Sequence, residues 1–238
     1  MDKAIGPVLL AGQRVQHQRV DIVANNIANA STSGFRAQMS IASEHVMQRA
    51  GPSVSMPRLA TALTDARPGV LTMTGVPLDF AIEGPGFFLI GLADGRQALT
   101  RAGSFIRRGD GTLGTPDGAA LLGEGGGPIA LPEGGGPIVL ARDGTLSSGG
   151  AIIGRVGVVA EDAAGQRLAG ARFALDGPAE PAEGAGLRQG VLESSNVSPV
   201  QALAELIDAS RRYEMFQSMV EEDDRRIRNV IETFSRQT

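Results

Sequence analysis

The chain reads as helical at both ends and strand-rich between them, and this layout constrains its fold more than any single motif. Residues 3–30 and 199–234 carry apolar side chains at helical spacing, whereas residues 69–190 carry short apolar runs cut by Gly, Asp-Gly or Pro. The pattern predicts an α+β protein in which long N- and C-terminal helices pair as a coiled coil beside a β-rich middle domain of short strands. The expected segments are an N-terminal assembly helix (1–34), an extended linker (35–68), the β-rich domain (69–190) and a C-terminal assembly helix (191–238).

The N-terminal helix places Val8, Val15 and Ile22 seven residues apart, on one face with Ile5, while Gln13, Arg14, His17, Gln18 and Asp21 lie opposite. It should end near Ser31-Thr32-Ser33-Gly34, where hydroxyl side chains compete for the backbone and Gly34 can take a positive φ. The C-terminal helix starts at Pro199, with Asn196 or Ser198 as its cap. Positions 203, 206, 210, 213, 217, 220, 224, 227, 231 and 234 alternate by three and four, and seven of them are Leu203, Leu206, Tyr213, Val220, Ile227, Ile231 and Phe234. A helix over 199–234 is roughly 54 Å long. Burying its seam yields on the order of 10–20 kcal/mol, against about 1–2 kcal/mol per residue of backbone ordering. It therefore needs a partner along its length. The shorter N-terminal helix covers only part of the seam and leaves the rest for another subunit.

Between the helices, residues 35–68 are polar, contain Pro52, Pro57 and Pro68, and read as an extended crossing segment with little regular structure. Short strands are expected at 78–82, 87–92, 119–122, 128–131, 137–140, 152–159 and 172–175. Asp-Gly at 94–95, 110–111, 117–118 and 143–144 marks hairpin turns. Gly125–Leu131 echoes Gly134–Leu140, and Asp110–Leu113 echoes Asp143–Leu146, which repeated hairpin geometry explains. The Pro/Ala/Glu/Gly stretch 177–186 reads as a linker.

Composition removes several functions. The chain of 238 residues has no Cys, so disulfides, thiolate chemistry and thiolate metal sites are absent. A net charge of −4 with dispersed basic residues gives no reason to expect nucleic acid. No apolar run is long enough for a membrane span, and the apolar stretch Ala4–Ala11 lacks a small-residue cleavage site, so any export is expected to proceed without a cleaved signal peptide. Gly109–Gly114 has dinucleotide-loop spacing, but Thr115-Pro116-Asp117-Gly118 follows where a helix would have to start, so a plain turn is the reading. His17 and His45 lack the partners of a metal or catalytic site, and Ser194 and Ser195 lack a nucleophile elbow. Asp79 and Glu83 are the carboxylates a glycosidase reading would use, yet nothing pairs them. The acidic cluster Glu221–Asp224 reads as a solvated face or as ion-pair partners for Arg225, Arg226 and Arg228. No catalytic, cofactor or metal residue is therefore expected. Asn25, Asn26 and Asn29 read either as a fraying helix end or, for Asn25 or Asn29, as a seam amide that fixes register between helices.

Three stretches resemble the bacterial flagellar basal-body rod and hook family. They are Ala24–Ala37, with its Asn-rich helix end and Ser-Gly-Phe-Arg turn; Thr74–Phe88, extended by Thr100–Phe105 and Asp110–Leu113; and Leu192–Pro199, followed by Ile207–Glu214. The Met-Asp-Lys start, Ser-Gly-Phe-Arg-Ala-Gln and Arg-Arg-Tyr-Glu-Met are most similar to proximal-rod members, with distal-rod and hook-type relatives as the alternative. Ser198 stands where the family usually has Asn, and 124–137 matches no family segment. The resemblance implies a structural rod subunit of the basal body, within the periplasm, that polymerises through its terminal helices and transmits torque. It implies partners among other rod proteins, copies of itself and the flagellar type III export apparatus. The assembly residues are then Ile5, Val8, Val15, Ile22, Asn25, Asn26 and Asn29 on the first helix, and Leu203, Leu206, Tyr213, Val220, Ile227, Ile231 and Phe234 on the last. A cell-wall-binding module or enzyme, or an adhesin, is the reading from another class; it predicts no long C-terminal seam.

Overall fold

In the computed structural model, which describes residues 5–49 and 51–235, helix α1 spans Ile5–Ala28 and helix α2 spans Pro199–Ser235. Between them run β1 (Gln38–Arg49), β2 (Gly51–Thr64), β3 (Leu71–Met73), β4 (Phe80–Glu83), β5 (Phe87–Gly91), β6 (Gln97–Thr100), β7 (Ile106–Arg107), β8 (Leu113–Gly114) and β9 (Ala120–Leu121). The order continues with β10 (Ile138–Leu140), β11 (Thr145–Ser148), β12 (Ala151–Arg155), β13 (Val158–Val159), β14 (Ala164–Arg167), β15 (Arg172–Leu175), β16 (Gly186–Gln189) and β17 (Val191–Glu193). The α+β class with a β-rich middle is as expected. Two compact units form, neither contiguous in sequence: a helical unit of Met1–Ala28, Ala37–Asp65 and Val197–Thr238, and a β unit of Asn29–Arg36 and Ala66–Asn196.

Within the helical unit, α1 and α2 lie antiparallel. Gly6 meets Asp223, Gly12 meets Phe216, and the ring of His17 meets Tyr213 edge-on, at 5.8 Å between centroids. A Cβ on Gly12 would fall 2.4 Å from the Phe216 ring, so the ring fits only against a glycine. The covered line of α2 is Ala202, Leu206, Ala209, Tyr213, Phe216, Val220 and Asp223, spaced alternately by four and three. It shares Leu206, Tyr213 and Val220 with the seam read from sequence, but its other half is shifted by one residue. The small Ala202 and Ala209 pack inward, and Leu203 is left 53% exposed. Ser198 takes the cap position through its carbonyl, which accepts from the Ala202 amide at 2.9 Å.

The segment 35–68, expected to be irregular, contains an antiparallel hairpin of β1 and β2, paired from Gln38↔Thr64 to Arg49↔Gly51 with register shifts after Ile41 and after Met47. Pro52 and Pro57 misled the reading because each strand of a two-stranded sheet is an edge, where a missing N–H is tolerated. Such a hairpin is marginal alone, and α1 packs against it. The Asn26 side chain completes the link as a strand would: its Nδ2 donates to the Gln38 carbonyl at 2.8 Å, and the Gln38 amide donates to its Oδ1 at 2.9 Å.

In the β unit, the main sheet runs β14-β15-β6-β5-β9-β8-β7, with β13 also on β5. Strand β5 is buried on both faces, and its alternation sorts it between two cores. Phe88 and Ile90 join Phe80, Leu113, Leu121 and Leu146; Phe87 and Leu89 join Leu99, Leu122 and Phe173. Smaller sheets pair β10-β11-β12, β16-β4 and β17-β3. The stretch 177–186 is no free linker: Pro181 bridges Val159, and Gly186 opens β16. The two Glu-Gly-Gly-Gly-Pro runs are turns that deliver Ile129 and Leu131, then Ile138 and Leu140, to one core.

The four Asp-Gly sites read as hairpin turns are the same device. Gly95, Gly111, Gly118 and Gly144 have φ of 83°, 78°, 97° and 91°, and each amide donates at 3.0 Å to the carbonyl three residues back. This is a type I turn closed by a left-handed glycine. Gly109–Gly114 is one of these turns, joining β7 to β8. The Asp94, Asp110 and Asp143 carboxylates accept amide bonds from Arg96, Thr112 and Thr145. These three carboxyls are held below the usual Asp range, chiefly by the Arg96 amide, the Thr112 hydroxyl and the Thr145 amide respectively. A carboxyl depressed in the folded state stabilises above the unfolded pKa of about 3.9 and loses that contribution as pH falls through the folded value. Replacing all three by Asn should therefore shrink the fall in thermal midpoint between about pH 5 and about pH 2.5; a fall equal to the parent's refutes the assignment.

Candidate functional site

The residues read as an assembly interface separate into two groups. Val15 and Asn26 are buried, and Val8, Ile22, Asn29, Leu206, Tyr213 and Val220 are half-buried. Asn25, Leu203 and Ile227 are exposed. Ile5 opens α1, and the side chains of Ile231 and Phe234 lie outside the described residues. The buried amide is Asn26 rather than Asn25 or Asn29, and it bonds the backbone of β1, not the other helix.

A second site lies inside the β unit. Arg36, Arg101 and Glu193 are each 2% exposed. Arg101 Nη1 donates to Glu193 Oε2 at 3.2 Å and to the Ile82 carbonyl at 3.2 Å; its Nη2 donates to the Gly84 carbonyl at 2.7 Å and to Glu161 Oε1 at 3.3 Å. Arg36 Nη2 stands 3.6 Å from Glu161 and 3.9 Å from Glu193, and its Nη1 donates to the Ala66 carbonyl. Glu193 Oε1 accepts the Gly69 amide at 3.0 Å. Both guanidinium carbons sit 5.6 Å from the centroid of the Phe87 ring. Arg167 stacks between Phe35 and Phe173 and donates to the Arg36 carbonyl. Burial lowers Arg101 below its ordinary value, opposed mainly by Glu193, and burial brings Arg167 down to about 10. We call this arrangement the clasp.

Local sequence explains how each group arrives. Gly34, at φ +64°, turns the chain so that Phe35 and Arg36 enter the unit; a Cβ there would lie 2.2 Å from the Arg101 carbonyl carbon. Arg101 follows β6, whose Thr100 hydroxyl accepts the Ala102 amide, and Glu193 ends β17. Sequence reasoning did not find the clasp. The available signal was charged residues inside Gly- and Phe-rich motifs, at Arg36, Arg101 and Glu193.

The clasp lies beside a cavity of about 420 Å³, which is lined by Arg, Glu, Gly, Pro and aliphatic residues and offers no Ser, His, Lys or Tyr. Of the carboxylates in the glycosidase reading, Asp79 accepts the Thr74 hydroxyl at 2.7 Å, and Glu83 pairs with Arg142 and Arg188. Among the described residues, no group of three His, Cys, Asp or Glu could hold a metal, and no helix is long and apolar enough to cross a membrane.

The three motif stretches that meet at the clasp are also where known proteins match. Residues 9–36 match the family described as flagella basal body rod protein, 81–148 the D1 domain of flagellar hook protein FlgE/F/G, and 188–233 the C-terminal region of flagellar basal body rod FlgEFG proteins. The chain belongs to the flagellar basal-body rod protein family. It is 34% identical to flagellar basal-body rod protein FlgF of Caulobacter vibrioides over 98% of both chains. It is 36% identical to FlgF of Salmonella typhimurium, over 90% of this chain and 91% of the relative. Identity to flagellar basal-body rod protein FlgG of Agrobacterium fabrum is 28%, over 87% of this chain and 90% of that one.

Removing one partner of a buried ion pair strands the other. Arg101→Leu should lower the stability of the β unit by about 3–5 kcal/mol in denaturant titration. Arg96→Leu, in an exposed pair with Asp94, should change it by less than about 1 kcal/mol. Equal effects would refute the assignment.

Proposed function

We propose that this chain is a non-enzymatic subunit of the proximal rod that polymerises through its terminal helices, paired as a coiled coil, and transmits torque. It contacts copies of itself and other rod proteins, lies within the periplasm, and leaves the cytoplasm through the flagellar export apparatus without signal cleavage. The assembly contacts are Ile5, Val8, Val15, Ile22, Asn25, Asn26 and Asn29 with Leu203, Leu206, Tyr213, Val220, Ile227, Ile231 and Phe234.

One observation carries this reading: α2 bears two apolar lines, and α1 covers only one. Val200, Leu203 and Ile207 lie on its outer side at helical spacing and are 80%, 53% and 48% exposed with α1 in place. Full burial of an aliphatic side chain contributes roughly 1.5–3 kcal/mol, and a polymer repeats that gain at every subunit. A glycan-binding module has no use for a second apolar line on a helix.

Leu203→Glu with Ile207→Glu should abolish polymerisation, measured by sedimentation, while the monomer keeps its helical circular dichroism and thermal midpoint. Polymer of normal yield from the double variant would overturn the reading.

A further inference from the structure

The sequence holds five Asp-Gly pairs, at 94–95, 110–111, 117–118, 143–144 and 176–177, and no Asn-Gly. Such a pair can rearrange without an enzyme: the glycine amide nitrogen attacks the aspartyl side-chain carbon and closes a cyclic imide. In the four hairpin turns the fold obstructs both reactants. Each glycine amide, the nucleophile, donates at 3.0 Å to the carbonyl three residues back. The carboxyls of Asp94, Asp110 and Asp143 are bonded chiefly by the Arg96 amide, the Thr112 hydroxyl and the Thr145 amide, which hold them below the usual Asp range. An ionised carboxylate resists the attack, because it would have to expel oxide in place of water. Asp117 accepts from the Arg172 guanidinium. At 176–177 neither obstruction is present. Both residues are exposed, and among the described residues no donor reaches the Asp176 carboxylate and no acceptor takes the Gly177 amide.

We propose that Asp176-Gly177 is a site of spontaneous covalent modification, where the main chain converts to an isoaspartyl linkage while the four turn sites stay intact. Water alone closes the balance. The Gly177 nitrogen forms a bond to Asp176 Cγ, the bond from Cγ to the hydroxyl of the protonated carboxyl breaks, and that hydroxyl leaves as water with the amide proton. One water then adds to either imide carbonyl. Opening at the Asp176 main-chain carbonyl routes the chain through Cβ and Cγ, adds one methylene to the backbone and frees a carboxylate on Cα; opening at Cγ restores Asp. The added methylene falls between fixed points of the β unit. Before it, the Asp176 amide donates to the Ala163 carbonyl at 2.9 Å; after it, the Glu180 carbonyl accepts the Ala160 amide at 3.0 Å and the Ala182 amide donates to the Val158 carbonyl at 3.0 Å. The strain of the longer chain is therefore confined to the stretch that bridges Val159 through Pro181. This site does not depend on the rod reading.

The test incubates the full-length protein at neutral pH in water enriched in heavy oxygen and reads each Asp-Gly peptide by mass spectrometry, because imide hydrolysis leaves one solvent oxygen in the product. A glycine amide that must first give up its hydrogen bond reacts about fivefold more slowly, so 176–177 should take up label at least about fivefold faster than any turn site. Its labelled peptide should separate into Asp and isoaspartyl forms. In denaturant, where the turns and their bonds are gone, the five rates should converge. A turn site labelled as fast as 176–177 in the folded protein overturns the proposal. So does a lead of 176–177 that persists unchanged in denaturant, which would trace the selectivity to local sequence and not to the fold.

Discussion

A guanidinium and a carboxylate, both almost wholly excluded from water, pair with each other inside the β unit. Arg101 and Glu193 are separated by 92 positions and come together at 3.2 Å. Weighed against a well-packed apolar pair, such a bridge adds little net stability, because desolvation consumes most of the attraction. Its effect is selective. Any arrangement that buries one partner without the other carries a charge in a medium that cannot solvate it. Arg36 adds the same demand from the N-terminal side. The β unit is thus discontinuous for a physical reason: Phe35 and Arg36 are among its most buried residues, yet they arrive with the end of α1.

The parts of the fold legible in sequence are those set by neighbours along the chain. Helical periodicity located α1 and α2 to within about two residues of the ends described. Asp-Gly located four hairpin turns, because a left-handed glycine after a type I turn is a four-residue affair. What escaped depends on distant partners. The β1–β2 hairpin was hidden by prolines that an edge strand tolerates. Strands such as β6 and β17 lack a strong apolar signature, and their pairing with β5 and β3 decides them. The site was half legible. Arg36, Arg101 and Glu193 sit in the motifs that carried the family resemblance, but nothing in any one stretch says that its charge is buried.

The helix pair shows how a correct period can still place a face wrongly. A repeat of three and four is satisfied by two adjacent lines on the same helix, and hydropathy favours the one with Leu203. Packing favours the one with Ala202 and Ala209, because small side chains let the helices approach, and Gly12 on α1 makes room for Phe216. The larger aliphatics are thereby displaced outward.

That displacement and the clasp are complementary. Here the segment leaving α1 and the segment entering α2 are bonded to each other inside the β unit, by Gly34 to Glu193 and Asn196 to Phe35, before either reaches its helix. The clasp needs residues from both sides of the sheet-forming sequence, from Arg36 to Glu193. The apolar line of Val200, Leu203 and Ile207 begins four residues past Asn196, whose side chain donates to the Arg67 carbonyl. Closely bonded backbone and exposed apolar surface therefore lie side by side in sequence.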